Sequence, residues 1–506
     1  MENKIYFCLC KTPVMENFIP THLQEIIYSS SDKKVRKQIA LLESTSKIKK
    51  IAPRIFTSNF IDTDEVIIKR NIFSILGNLY PGALLSHRSA LEFKPTTTGQ
   101  IFVTYTYTKK IELPGITIRF MEGLGAIEGD NSFSGELFVA QQERAFLENL
   151  QSSRKTGPES KTISISELEN KLEKIAQVKG EDGLNQIRDN AKVIADKLGL
   201  QKEFEKLNKL ISALLSTQPS KILSSPRAIA RAFGNPYDQC RIDLFEILCI
   251  ELKQREFKNV KDKNTTNAAF KNFAFFESYF SNYIEGTRFE VIEAKNIIET
   301  GTPMFNRDED SHDILGTYKL VSNKIEMNIT PTKAEEFITI LQYRHRFLLE
   351  ARTSKMPGVF KDKNNRAGET VFVDFELVKG TLIKGFDYYK ALTDPFAKAA
   401  YIMFMVSEIH PFLDGNGRIA RVMMNAELVK AEQTRIIIPT VYRDDYLGAL
   451  RRLTRQQDPL AYIKMLQRAQ EFSATLNAGT LEELELQLES CNAFKEHDEA
   501  KLKIII

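Results

Sequence analysis

Residues Ala399 to Ile409 (AAYIMFMVSEI) are apolar at almost every position, with Ser407 and Glu408 the exceptions. A segment without a polar face predicts a helix buried on all sides rather than an amphipathic surface helix. Pro411 and the Asp414-Gly415 pair then break it. Past the break, Ile419, Val422, Met423 and Ala426 recur at helical spacing and predict a second helix from Asn416, with that face toward the core. Arg418, Arg421 and Asn425 stand at i, i+3 and i+7 of the same helix and so share a polar face.

The same reading extends upstream. Aromatic and apolar residues at 275, 276, 279, 280, 283 and 284 mark a helix, and Gly286 suits its C-terminal cap. Residues 356–374 (MPGVFKDKNNRAGETVFVD) combine a Pro-Gly turn, an Asn-Asn-Arg-Ala-Gly loop and a strand from Thr370 to Val373, which predicts a β-hairpin in helical surroundings. Nearer the N-terminus, Ile101 to Thr108 and Ile116 to Phe120 read as strands among short helices. A polar run, SSRKTGPESK, precedes amphipathic helices reaching Leu214 and Leu215. The stretch from Thr480 to Ala500 reads as an acidic, Leu- and Glu-rich helix that packs on a neighbour or a partner. No internal repeat is evident. The expected organisation is a mixed α/β domain over 1–150, a helical linker region over 151–225, a mostly helical domain over 226–475 and an acidic helical tail over 476–506. The fold class is mainly α with a mixed α/β N-terminal domain.

Composition narrows this only slightly. A chain of 506 residues holds two to four domains with ample core in each. At 42% apolar and 27% charged it is ordinary for a globular protein, and a net charge of +4 does not by itself argue for nucleic acid or an anionic membrane. No apolar run reaches transmembrane length, since Glu408 and His410 interrupt the one described above. The start, MENKIYFCLCKTPV, lacks a signal-peptide pattern. Five cysteines, with Cys8 and Cys10 the close pair, give neither a disulfide framework nor a zinc spacing. A cytoplasmic location is the expectation.

The chemistry concentrates in residues 410–421, His-Pro-Phe-Leu-Asp-Gly-Asn-Gly-Arg-Ile-Ala-Arg. His410 can take a proton near neutral pH. Asp414 is a hard oxygen ligand suited to Mg²⁺. Gly415 and Gly417 let the backbone approach a phosphate, and a helix starting there aims free N–H groups at the same anion. Arg418 and Arg421 supply forked donors for phosphate oxygens. The plainer alternative is a loop between core helices whose arginines make surface ion pairs. Nine fixed residue types at fixed spacing count against it, because each has a chance frequency of about one in twenty.

This segment resembles the signature of the Fic-domain family, His-Pro-Phe-x-Asp-Gly-Asn-Gly-Arg-x-x-Arg, at every specified position. The resemblance implies an all-helical Fic core with a short β-hairpin flap. It also implies transfer of AMP from ATP, with Mg²⁺, to a Ser, Thr or Tyr hydroxyl of a protein target, which can be the chain itself. By position, His410 would be the general base and Asp414 would hold Mg²⁺ bridging the α- and β-phosphates. Gly415, Asn416 and Gly417 would form the anion hole, Arg418 would steady the phosphates and Arg421 would grip the γ-phosphate; Asn425 follows on the same face. Transfer at phosphorus relies on positioning and charge neutralisation, which such a set can supply. Relatives that phosphorylate instead carry a lysine at the position of Gly417, so the glycine favours nucleotidyl transfer.

Ser281, Glu285 and Gly286 match the family's inhibitory pattern, Ser/Thr-x-x-x-Glu-Gly/Asn. Ser281 and Glu285 are four apart and share a helix face, and a carboxylate in the last turn is unfavourable against the helix dipole unless a cation meets it. The resemblance implies that Glu285 pairs with Arg421, blocking the γ-phosphate and leaving ATP misaligned. In some relatives the same glutamate positions a water that removes AMP, so the reverse, deAMPylating direction stays open. The hairpin over 356–374 resembles the Fic flap, which lines up a target by strand addition; Val371, Phe372 and Val373 would be its docking strand. Tyr442-Arg-Asp-Asp-Tyr446 resembles the family's downstream segment, where Tyr446 would border the adenosine.

A competing function lies in the N-terminal part. Lys33, Lys34, Arg36, Lys37, Lys47, Lys49, Lys50 and Arg54 cluster within 22 positions, around a helix and a following strand-like segment. A basic helix followed by a basic hairpin is how winged helix-turn-helix modules meet the phosphate backbone; a solvated basic face is the simpler alternative. Ser86-His-Arg-Ser-Ala, after Pro81-Gly, and the Leu113-Pro-Gly-Ile segment resemble abortive-infection antitoxin-type winged-helix regulators over roughly residues 15–150. The second reading is therefore a DNA-binding regulator or antitoxin-like protein with a weakly active or reverse Fic site; a homo-oligomer is open in either. Gly123-Leu-Gly-Ala-Ile-Glu-Gly129 reads as a turn, since no helix pattern follows it. Asp308-Glu-Asp-Ser-His-Asp313 reads as a solvated acidic loop, lacking the glycine and closing glutamate of a calcium loop. His22, His87, His312, His345 and His497 have no partners at ligand spacing and read as structural or surface residues.

Overall fold

The computed structural model describes residues 24–215 and 222–505. Cys8, Cys10, His22 and the first part of the basic-module resemblance lie outside the described residues. The chain divides into two compact units, 1–229 and 230–506.

The first unit is mixed. Strands Ile26–Tyr28, Ile55–Thr57 and Lys49–Ala52 form an antiparallel sheet in that spatial order. Helix Lys33–Ser44 is capped by Asp32, whose carboxylate accepts the Lys34 and Val35 N–H groups. It buries Ile39 and Leu42 in a small core with Ile27, Ile48 and Phe56. The helix leaves Lys33, Lys34, Arg36 and Lys37 exposed, together with Val35 and Leu41, and Lys47, Lys50 and Arg54 are exposed beyond it. Lys49 instead pairs with Asp64 at 2.8 Å.

A six-stranded sheet follows, in the order Lys109–Leu113, Ile116–Glu122, Gln100–Tyr105, Leu84–Leu85, Leu137–Val139 and Asn131–Ser134. Its inward residues Leu84, Leu85, Ile101, Val103, Ile116, Ile118 and Phe120 share a core with Ile67, Ile68, Ile72, Ile75 and Leu76 of helix Asp64–Leu79. The first expected strand ends at Tyr105 rather than Thr108. Ser86-His-Arg-Ser-Ala begins a short buried helix: the His87 N–H donates to Glu148, and Arg88 reaches the Gly157 carbonyl. Helix Ile165–Leu198 starts from a capping box at Ser164 and Glu167 and kinks at Gly180, and helix Gln201–Leu214 packs beside it.

The second unit is helical around one large core. Asp394 caps helix Pro395–Ile409, with Pro395 in its first turn; Ala399 to Val406 are all buried. The helix ends where His410 takes a left-handed conformation (φ 54°), its N–H reaching the Val406 carbonyl. Helix Asn416–Lys430 returns beside it, burying Ile419, Val422, Met423 and Ala426. The aromatic helix Asn267–Ile284 lies against this second helix. Beyond Gln201, no described helix is long and apolar enough to cross a membrane, nor is any before it.

Three expectations are corrected in this unit. Asp308 to Asp313 are not a solvated loop but the opening turns of helix Asp308–Val321, where acidic side chains favour the positive end of the helix dipole. Asp313 itself is 1% exposed. The hairpin is shorter than its pattern, pairing Arg366–Ala367 with Thr370–Val371, because Val373 turns into the core and is fully buried. The tail is helical only over Leu481–Ser490, and buries Leu484 and Leu488 in its own unit.

Candidate active site

The two buried helices leave His410 to Gly415 as a tight loop. Asn416 ties it: Oδ1 accepts the Phe412 N–H at 2.9 Å, and Nδ2 donates to the Phe412 carbonyl at 2.8 Å. His345 supports it from below, stacking on Phe412 with centroids 3.6 Å apart. The Gly358 N–H donates to His345 Nδ1, so Nε2 carries the hydrogen and donates to the Asp414 carbonyl at 3.0 Å. Burial pushes His345 down to about 4, keeping it neutral in this role. Gly415 caps the helix at φ 72°, where a side chain would also strike Leu349.

His410 is held in one tautomer. Its Nδ1 lies 3.1 Å from the Ser407 carbonyl, which can only accept, so Nδ1 carries the hydrogen and Nε2 the lone pair. Its ring stacks on Phe372 of the hairpin segment, 3.7 Å between centroids and 5° from parallel. Burial pushes its pKa down to about 4, although the Ser407 carbonyl and Glu285 favour the cation. The imidazole is therefore a neutral base at pH 7.

The opposite wall comes from the aromatic helix. Arg421 donates from Nε to Ser281 Oγ at 3.0 Å and from Nη2 to the Ser281 carbonyl at 2.7 Å. Nη2 also meets Glu285 Oε1 at 2.8 Å, and Nη1 lies 3.4 Å from the Tyr446 hydroxyl. Burial opposes ionisation of Glu285, but Arg421 and Arg418 outweigh it and hold the carboxyl below its usual value. The same carboxylate lies over Gly417: a Cβ there would fall 2.1 Å from Oε1. Gly417 is in the first turn of its helix, so the carboxylate occupies the place where free N–H groups attract an anion.

His410, Gly417, Arg421, Tyr446, Glu285 and Phe372 line one cavity of about 510 Å³, within the usual range of small-molecule sites. Asp414, Gly415, Asn416 and Arg418 stand beside it rather than in its lining. Arg418 is 3% exposed and bound to Asp313. Asn425 is apart from the cavity: its amide is taken up by Glu277 and by the Ile436 backbone. Gly286, at φ 100°, turns the chain after Glu285. Val371 is exposed, whereas Val373 is inaccessible for docking.

Several lining residues escaped the sequence. Leu447, Leu450, Arg451, Thr454 and Arg455 share the cavity with Tyr446 on helix Arg443–Gln456. Their spacing from Tyr446, one and then four, five, eight and nine positions on, is a helix face that could have been read. Glu408 and its partner Arg241 (3.0 Å) are joined only by the fold, as is Arg241 with the Val371 carbonyl at 2.6 Å. Lys361, almost fully buried beneath the loop and pushed down to about 8 by burial, donates to Asn365 at 2.7 Å.

Residues 338–428 match the profile of the Fic/DOC family. A Fido domain-containing protein of Dictyostelium discoideum is 31% identical over 99 residues, which cover 19% of this chain and 69% of that protein. A protein adenylyltransferase Fic of Drosophila willistoni is 24% identical over 236 residues, 44% of this chain and 46% of that one. The chain thus spans under half the length of this adenylyltransferase. Among solved structures, a fragment of Fic-1 from C. elegans is 15% identical with a TM-score of 0.35, covering 65% of this chain and 98% of the fragment.

Proposed function

This chain belongs to the Fic/DOC family, and from that premise we propose that it is a protein adenylyltransferase restrained by its own Glu285. The observation that carries the reading is the Glu285 carboxylate, bound to Arg421 and lying over Gly417 beside a neutral His410. A triphosphate would need the same arginine and the same helix start. With Glu285 displaced, Arg421 holds the terminal phosphate and the cavity toward Tyr446 takes the nucleoside. His410 Nε2 removes the proton from a target hydroxyl as its oxygen bonds to the α-phosphorus; the bond to the β-phosphate oxygen breaks and pyrophosphate leaves.

Asp414 fits a divalent cation that arrives with the nucleotide. One of its oxygens accepts the Gly415 N–H at 2.6 Å, and the side chain remains 34% exposed. Among the described residues no group of three or more His, Cys, Asp and Glu side chains could hold a metal unaided, so phosphate oxygens and water must complete the shell, as Mg²⁺ commonly requires. The cation would neutralise phosphate charge. The test is incubation of the Glu285→Gly protein with labelled ATP and Mg²⁺ in a cell lysate. AMP-sized additions on hydroxyl residues, lost on His410→Ala, are expected; phosphate-sized additions would overturn the assignment.

A second reading concerns the N-terminal unit alone. The exposed cations of helix Lys33–Ser44 and of the hairpin after it support DNA binding through the phosphate backbone.

A further inference from the structure

Helix Asp308–Val321 sends one carboxylate inward from its acidic start. Asp313 Oδ2 lies 2.6 Å from Nη2 of Arg352 and 2.5 Å from Nη1 of Arg418, and Oδ1 accepts from Arg352 Nε at 3.0 Å. The same two arginines reach Asp414 with their other nitrogens, Arg418 Nη2 at 3.5 Å and Arg352 Nη1 at 3.9 Å. Four side chains thereby close a ring of alternating charge. Three are largely withdrawn from solvent, with side-chain exposures of 2% for Asp313, 3% for Arg418 and 14% for Arg352; Asp414 keeps 34%.

The distances rank the pairings. Both guanidiniums make charge-assisted contacts to Asp313, while their approaches to Asp414 are at or beyond the limit of a hydrogen bond. Buried guanidiniums need a partner. Without the Asp313 charge, Arg352 keeps Glu309 at 3.1 Å and Asp310 at 3.4 Å, whereas the carboxylate within reach of Arg418 is Asp414 at 3.5 Å. Arg418 closing on it, with Arg352 alongside, would satisfy the carboxylate and leave a local excess of positive charge, and each effect opposes a divalent cation.

We propose that Asp313 is a positioning residue: it holds Arg418 off Asp414, so that this carboxylate stays open to the divalent cation accompanying a nucleoside triphosphate. The proposal rests on the nucleotide reading of the same site. Orienting groups behind a metal ligand commonly alter metal affinity by about 10–100-fold.

The experiment compares Glu285→Gly with Glu285→Gly/Asp313→Asn. Calorimetric titration with Mn²⁺·ATP is expected to show binding weakened about tenfold by Asp313→Asn, and labelling from ATP to need about tenfold more Mg²⁺ for half its maximum. Asp313→Glu should restore part of both, and the pH profile set by His410 should not move. Equal nucleotide binding and equal Mg²⁺ dependence would overturn the proposal. If Asp313→Asn does not fold, Arg352→Gln leaves Asp313 to Arg418 and removes one cation beside Asp414, so it must lower the Mg²⁺ requirement; an unchanged or raised requirement overturns the proposal. Mn²⁺·ATP binding that depends on Asp313 in a Glu285→Gly protein that transfers no AMP would defeat the transfer reading and leave Asp313 its role.

Discussion

Arg421 binds Glu285 at 2.8 Å, yet it does not depend on Glu285 for its position. Ser281 accepts from it twice, through hydroxyl and carbonyl, one turn earlier on the same helix. Removing the carboxylate should therefore leave the guanidinium aimed at the cavity and free to take a phosphate. Hydrogen bonds to charged groups are worth about 1.5–3 kcal/mol. Glu285→Gly is accordingly expected to raise AMP incorporation by about ten- to a hundredfold, measured as label per protein over time. Rates equal to the unaltered chain would dismiss the inhibitory role.

The pH dependence follows from the two buried imidazoles. With His410 pushed down to about 4, the acid limb of the labelling rate should lie well below the ordinary histidine range of about 6.5. Initial rates of Glu285→Gly should stay level between pH 6 and 8; a tenfold fall between pH 7 and 6 would refute the neutral-base assignment. Stability has its own dependence. His345, fully buried and near 4 when folded, takes a proton first in the unfolded chain. Its contribution is intact above about pH 6.5 and is lost as pH falls toward 4, by about 1.4 kcal/mol per unit. Denaturant midpoints should fall over that window, and less so in His345→Gln.

Phe372 holds the His410 ring face to face at 3.7 Å. The expected docking strand is thus also a wall of the cavity that His410 lines. Phe372→Ala should leave the imidazole free to turn about its Ser407 hydrogen bond and lower kcat by about tenfold, with little change in the KM for ATP. Phe372→Tyr keeps the stack and should retain most of the rate. A Phe372→Ala protein with unchanged kcat would separate the hairpin from the chemistry.

The loop from His410 to Gly417 was legible because its residue types serve backbone geometry and charge at once. Gly415 must be left-handed, Gly417 must be bare, and Asn416 must tie the turn. The Ser281-to-Glu285 spacing was legible for the same reason, since one helical turn brings both to Arg421. What stayed hidden depends on tertiary approach. Asn425 shares a helix face with Arg421, but one further turn carries it to Glu277 and away from the cavity. Val373 continues an apolar run that reads as strand, yet alternation stops where the core takes its side chain. Asp313 sits in a hydrophilic run that looks solvated, and only the packing of Arg352 and Arg418 around it makes it a buried ion.

Tyr283 donates to Glu496 at 2.5 Å, fixing the last turn of the aromatic helix to the C-terminal segment, where Phe494 also packs on Phe280 with centroids 5.2 Å apart. Burial, with the hydrogen bond to Glu496, pushes the Tyr283 hydroxyl up to about 12, so it donates throughout the working range. Glu496→Ala should loosen the turn bearing Glu285 without touching the cavity and raise basal AMP incorporation a few-fold; solvent screening at this half-exposed carboxylate reduces the hydrogen bond's contribution to about 1 kcal/mol. Adding Glu496→Ala to Glu285→Gly should produce no further rise. An additive increase would show that the C-terminal segment acts by another route.

The N-terminal unit allows a separate experiment, because its basic residues are not equivalent. Lys34, Lys37, Lys50 and Arg54 are exposed, whereas Lys49 is engaged with Asp64. If the surface meets DNA phosphates, each exposed cation in contact contributes about 0.9 to the slope of log affinity against log salt. Replacing all four with alanine should weaken retention of a random-sequence duplex and flatten that slope by about 3.6 if all four are in contact. Lys49→Ala should disturb thermal stability more than binding, since it breaks a contact within the unit and removes little free charge. Retention and slope unchanged by the fourfold replacement would leave the basic face solvated and without a nucleic-acid role.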